Sequence, residues 1–116
     1  MATRDITISQ AGSSPVFTAK WTGLLNGDVG APFEFGRFRD RSVQVFGTFG
    51  AGGSCAIEGS LDGGTTWAVL NDGQGNALAL TAAKIEGIAE AVLLLRPHVT
   101  AGDGTTNLTV YVVAFG

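Results

Sequence analysis

GSLDGGTTW, Gly59 to Trp67, decides how the rest of the chain is read. Its Ser60, Asp62, Gly64, Thr66 and Trp67 fit the spacing S-x-D-x-G-x-T-W. A carboxylate at Asp62 can accept hydrogen bonds from the N–H groups of its own turn. Gly63 and Gly64 permit a tight reversal, and Trp67 can lay its ring over the corner. That chemistry predicts a hairpin whose role is to hold the fold.

The same spacing resembles the Asp-box of sialidases and other β-propellers. A propeller needs at least four blades of about 40 residues each, which a chain of 116 residues is too short to supply. The hairpin is therefore expected outside its familiar setting. The chemistry of a sialidase is not assembled either. Tyr111, the one tyrosine, alternates with apolar neighbours in the last predicted strand, and Glu34, Glu58, Glu86 and Glu90 show no pairing of the kind that a two-carboxylate glycosidase needs. His98 would have to serve alone as a base, with no G-x-S-x-G sequence beside it. No catalytic residue and no cofactor is assigned, and the chain is expected not to be an enzyme.

Outward from the hairpin, short segments rich in Val, Ile, Phe and Thr are punctuated by Gly, Asp and Asn about every 8 to 12 residues, the pattern of an all-β sandwich or barrel. One domain is expected over residues 1–116, with about eight antiparallel strands. They are predicted near Ile6 to Ser9, Val16 to Trp21, Phe33 to Phe38, Ser42 to Thr48, Ser54 to Ser60, Thr66 to Leu70, Ala77 to Leu80, Ala91 to Arg96 and Leu108 to Phe115. Turns fall at Asn26-Gly27, Gly52-Gly53, Asp62-Gly63-Gly64, Asp72-Gly73 and Asp103-Gly104. Between Thr81 and Glu90, the recurrence of Ile85, Ile88 and Val92 at helical spacing predicts one short helix capped by Thr81. Ala91 to Leu95 is apolar without alternation, so both its faces should be covered, and Pro97 should end its pairing.

Charged residues make up 15% of the chain and hydrophobic residues 45%, with 18 glycines besides. Soluble proteins typically carry about 25% charge. Two readings stay open: a surface partly covered by another copy or partner, or a weakly charged, glycine-rich β domain. A net charge of −3 argues against a protein that grips nucleic-acid phosphates over its whole surface. MATRDITISQ has no apolar run behind its charges, so neither a signal peptide nor a membrane span is expected, and synthesis in the cytosol follows. Cys55, the single cysteine, reads as a small core residue.

Asp28, Asp62, Asp72 and Asp103 lie in glycine-rich loops that could gather at one end of a sandwich around a metal ion. They lack the D-x-D-x-D-G series of a calcium loop, and Asp-Gly is ordinary turn chemistry, so no metal is assigned. RFRDR is the one dense basic run, and Arg37, Arg39 and Arg41 could project from one strand face toward carboxylates on a partner. The competing reading is a solvated strand end that Asp40 partly neutralises. Residues 1–15 read either as an amino-terminal arm for a neighbouring subunit or as a first strand in the chain's own sheet.

From Asp40 to Val113 the chain resembles small virion proteins of tailed bacteriophages. The residues that carry this are SVQVFGTFG (Ser42 to Gly50), IEGSLDGGTTW (Ile57 to Trp67), LNDGQGNAL (Leu70 to Leu78) and LRPHVTAGDGTTNLTV (Leu95 to Val110). The resemblance implies a sandwich of jelly-roll type acting as a head decoration or cement protein. Such a protein is often trimeric and sits on the capsid exterior against the major capsid protein. Two other functions remain open beside it: a carbohydrate-binding module using Trp21 or Trp67 as a stacking platform, and a tail or neck component with the same fold.

Overall fold

The computed structural model describes residues 2–10, 16–34 and 40–115. Within them the strands are β1 (Thr3–Arg4), β2 (Thr7–Gln10), β3 (Val16–Leu24), β4 (Val29–Gly30), β5 (Phe33–Glu34), β6 (Asp40–Thr48), β7 (Ser54–Ser60), β8 (Ala68–Val69), β9 (Ala79–Leu80), β10 (Lys84–Gly87), β11 (Leu94–Ala101) and β12 (Asn107–Phe115). They form two sheets. One runs β1-β4-β11-β7-β8, with β5 also on β11 and β9 also on β7; the other runs β10-β6-β12-β3-β2. Pairing is antiparallel except between β1 and β4. The chain is all-β in two mostly antiparallel sheets, an arrangement consistent with a β-sandwich.

The two-residue period of a strand decides what lies between the sheets. Leu108, Val110, Val112 and Ala114 of β12 point inward with Val43 and Val45 of β6 and with Ala19, Trp21 and Leu24 of β3. They join Cys55 and Ile57 of β7, Leu95 and Val99 of β11, and Phe33, Leu70, Leu78 and Leu80 in one core cluster. Trp21 has no exposed surface, and its indole N–H donates to the Ala31 carbonyl at 2.9 Å, so the one polar atom of that ring is satisfied.

The helix expected between Thr81 and Glu90 is a strand. β10 pairs with β6 from Lys84 opposite Val45 to Gly87 opposite Ser42, and no residue among those described is helical. A helix of so few residues is marginal in isolation, and Gly87 in its interior would cost about 1 kcal/mol more. Pairing instead satisfies the N–H and C=O groups along the free edge of β6. The spacing misleads because Ile85 faces outward, 65% exposed, while Ile88 lies beyond the strand and turns inward.

Two further expectations need correction. Pairing continues through Pro97, which sits opposite Ile57 in the middle of β11. Val99, two residues on, donates its N–H to the Asp28 carbonyl at 2.9 Å. The strand period puts the missing N–H of Pro97 on that same side, where the register of β11 passes from β5 at Leu95 to β4 at His98 and skips Pro97. Nor is Ala91 to Leu95 covered on both faces: the strand begins at Leu94, and Leu93 is 44% exposed. At the amino end, β1 pairs with β4 and β2 with β3, so these strands of residues 2–10 pair within the chain's own sheets.

Candidate functional site

The hairpin between β7 and β8 is built from the hydrogen-bonding capacity of two side chains. Asp62 Oδ1 accepts the N–H groups of Thr65 at 3.1 Å and Thr66 at 2.9 Å, and the hydroxyl of Ser60 at 2.8 Å. Ser60 Oγ accepts in turn from the N–H of Gly64 at 3.0 Å. The Trp67 indole N–H closes the turn on the Gly64 carbonyl at 2.9 Å, and Gly63 and Gly64 take φ of 81° and 95°, which a β-carbon would strain. Donation by Thr66, then by Ser60, holds the Asp62 carboxyl down at about 2. Ser60 Oγ, Asp62 Oδ1 and Trp67 Nε1 all bond within the loop, while Leu61 stands out, 74% exposed.

Leu61 borders a hollow of about 330 Å³ that Gly59, Ala68, Leu70 and Val92 line with apolar surface, and Ser60, Asp62 and Thr66 close the loop side. Val69 at 43% and Leu93 at 44% exposure lie next in sequence to its lining residues. The result is a large apolar side chain held out by a loop that its own hydrogen bonds fix. A preorganised anchor of this kind loses little conformational entropy when a partner covers it.

A polar group occupies the outer face of the same sheet. Glu58 on β7 is opposite Arg96 on β11 and accepts from its Nε at 2.9 Å, while the other carboxylate oxygen lies 3.1 Å from Nδ1 of His98. The Arg96 guanidinium rests 4.2 Å above the centre of the Trp67 ring. Sequence reasoning missed this group because it depends on the register of β7 against β11. A signal was present: Glu58 and Arg96 are single, opposite charges in apolar runs, and a buried charge needs a partner.

The remaining candidates divide. Arg37 and Arg39 lie outside the described residues. Arg41 is no outward-facing contact: the strand period directs it inward beside Val43 and Val45, it is 5% exposed, and its guanidinium donates to the Glu90 carbonyl. Glu90 in turn accepts from the backbone and side-chain N–H groups of Asn71, each at 2.7 Å, so Arg41 ties this loop to β6. Trp21, wholly buried, offers no platform to a sugar, and Arg96 covers one face of Trp67.

The four loop aspartates do not converge. Asp103 accepts from Ala51, Thr105 N–H and the Thr105 hydroxyl, which hold it at about 2. Asp72 accepts from the N–H groups of Asn76 and Gln74, which lower its pKa. Burial raises the pKa of Asp28, but donation by Leu25, Arg4 and Ala2 outweighs it and the net shift is downward. Each carboxylate is used by its own surroundings. Among the described residues no group of three or more His, Cys, Asp or Glu is placed to hold a metal ion.

No protein-family model and no curated protein sequence matches the chain. Among solved structures it is similar to that of KdgF from Halomonas sp., at 13% sequence identity and a TM-score of 0.43, over 94% of this chain and 76% of that one. Similarity at this level carries neither activity nor ligand from one protein to the other. In view of that match, the expectation that this chain is not an enzyme is withdrawn, and no activity is put in its place.

Proposed function

We propose that this chain is a bacteriophage head decoration protein, a sandwich of jelly-roll type that docks on the capsid exterior against the major capsid protein and stabilises the shell. The observation that carries the reading is Leu61, 74% exposed on a hydrogen-bonded hairpin beside an apolar hollow. The low charge of the chain and the resemblance of Asp40 to Val113 to small virion proteins support it. Stabilisation works by mass action: a protein that binds the intact shell and not its dissociated parts shifts the disruption equilibrium by RT ln(1 + [L]/Kd) at each site. Many copies multiply a modest affinity.

Purified protein mixed with undecorated heads should bind saturably and raise the temperature at which they release DNA. Leu61→Lys should abolish binding while leaving the unfolding temperature of the free protein unchanged, since Leu61 contributes little to the core. Heads that stay bare at micromolar protein would remove the proposal. Binding that survives Leu61→Lys would remove the hairpin as its docking surface.

A further inference from the structure

The outer face of the β10-β6-β12-β3-β2 sheet plays no part in the docking surface above. Its middle row, set by register, runs Ile85, Gln44, Tyr111, Lys20, Thr7; the next row is Gly87, Ser42, Val113, Thr18, Ser9, and beyond it stand Asp40, Phe115 and Val16. Ile85 is 65% exposed, Phe115 42% and Phe46 37%, with Phe46 stacked on Tyr111 at 5.9 Å and the Lys20 ammonium 5.4 Å from the Tyr111 ring centre. Among the described residues of these strands, Asp40 and Lys20 are the charged side chains that face outward, and they are of opposite sign.

We propose that this face binds a second copy of the chain, sheet to sheet, about a two-fold axis lying in the interface. The placement of the two charges selects the axis. Strands lie about 4.8 Å apart, and alternate residues along a strand about 6.8 Å. Asp40 on β6 and Lys20 on β3 are then related through Val113 on β12, which sits one strand and one row from each. The in-plane line that bisects Asp40 and Lys20 at right angles passes through Val113 and meets β10 at Ile85. A two-fold rotation about that line sets Lys20 of each copy over Asp40 of the other and brings Ile85 onto Ile85. The same line runs along a hollow of about 260 Å³ lined by Ser42, Gln44, Ile85, Tyr111 and Val113, which gives the two isoleucines room to pack.

Self-complementarity of this kind is what a closed two-fold interface requires. The area suffices: a face of this size covers on the order of 600 Å² on each copy, or roughly 1,200 Å² in all, the lower bound for a stable specific interface. The trimer implied by the virion-protein resemblance is a different assembly, and the experiment separates the two.

Sedimentation equilibrium on the whole protein between about 1 and 100 µM should give a monomer–dimer equilibrium. Ile85→Lys should raise its dissociation constant by roughly ten-fold or more, with Ile85→Ser as a milder variant if the first lowers the unfolding temperature. Lys20→Asp should weaken the dimer by roughly ten-fold, and Lys20→Asp combined with Asp40→Lys should recover most of that loss. A chain that stays monomeric throughout the range, an assembly of any size that Ile85→Lys and Ile85→Ser leave unchanged, or a charge exchange without recovery would each overturn the proposal.

Discussion

Glu58 and Arg96 are direct register partners across β7 and β11, joined Oε1 to Nε at 2.9 Å, and the same guanidinium covers the Trp67 ring at 4.2 Å. One ion pair thereby ties the hairpin that presents Leu61 to the centre of its sheet. The side chains are 12% and 22% exposed, so removing one partner strands a charge that water reaches poorly. Glu58→Ala should cost about 1–3 kcal/mol in urea unfolding. A cycle combining Arg96→Met with Trp67→Leu should return a coupling of about 0.5–1 kcal/mol.

Stability should fall in acid over a defined window. Asp62 and Asp103 are both held at about 2, against 3.8 for an ordinary aspartate. A carboxyl whose folded pKa is depressed stabilises the protein at pH above the unfolded value, and that contribution disappears as pH falls through the folded value. The unfolding temperature should therefore drop between about pH 4 and pH 2. Asp62→Asn and Asp103→Asn should each start lower at neutral pH and show a shallower drop; slopes equal to that of the parent protein would contradict the assignment.

Gly30 is required by close approach. A β-carbon there would lie 2.6 Å from two atoms of the Trp21 indole and 2.7 Å from Cδ of Pro97. Trp21 is wholly enclosed and tied to Ala31, so it has nowhere to retreat. Gly30→Ala should cost about 1–3 kcal/mol and shift the tryptophan emission of the folded protein. An unchanged spectrum with unchanged stability would show that the β4–β11 contact gives more readily than the geometry implies.

Cys55 should be chemically silent while the protein is folded. It has no exposed surface, and burial pushes its thiol up to about 12. The reactive species is the thiolate. Ellman's reagent at about pH 8 should react only as fast as the chain opens, and at once in denaturant. Rapid reaction of the native protein would place Cys55 at an opening in the sheet.

Much of the architecture was legible in the sequence because alternation is a local property. Ser54 to Ser60 and the last strand were read almost to the residue, since inward Val, Ile and Leu alternate there with polar or small neighbours. The turn chemistry of Asp62, Asp72 and Asp103 was legible for the same reason: each carboxylate is satisfied largely by N–H groups within four residues. The readings of Ile85 to Val92, Pro97 and Arg41 failed because each turns on what lies across the sheet. Lys84 to Gly87 pairs along the free edge of β6, Pro97 meets a gap between β4 and β5, and Arg41 finds the carbonyl of Glu90.

The sequence by itself determined that this chain makes strands, where most of them turn, and that the Gly59 to Trp67 loop closes on its own polar groups, because those outcomes depend on neighbours within a few residues. Only the tertiary structure decided which strands pair and in what register. It thereby set Glu58 beside Arg96, turned Arg41 inward, and placed Asp40, Val113 and Lys20 on one diagonal. Register follows from burying a common core between two sheets, and that free energy belongs to contacts between residues far apart in the chain.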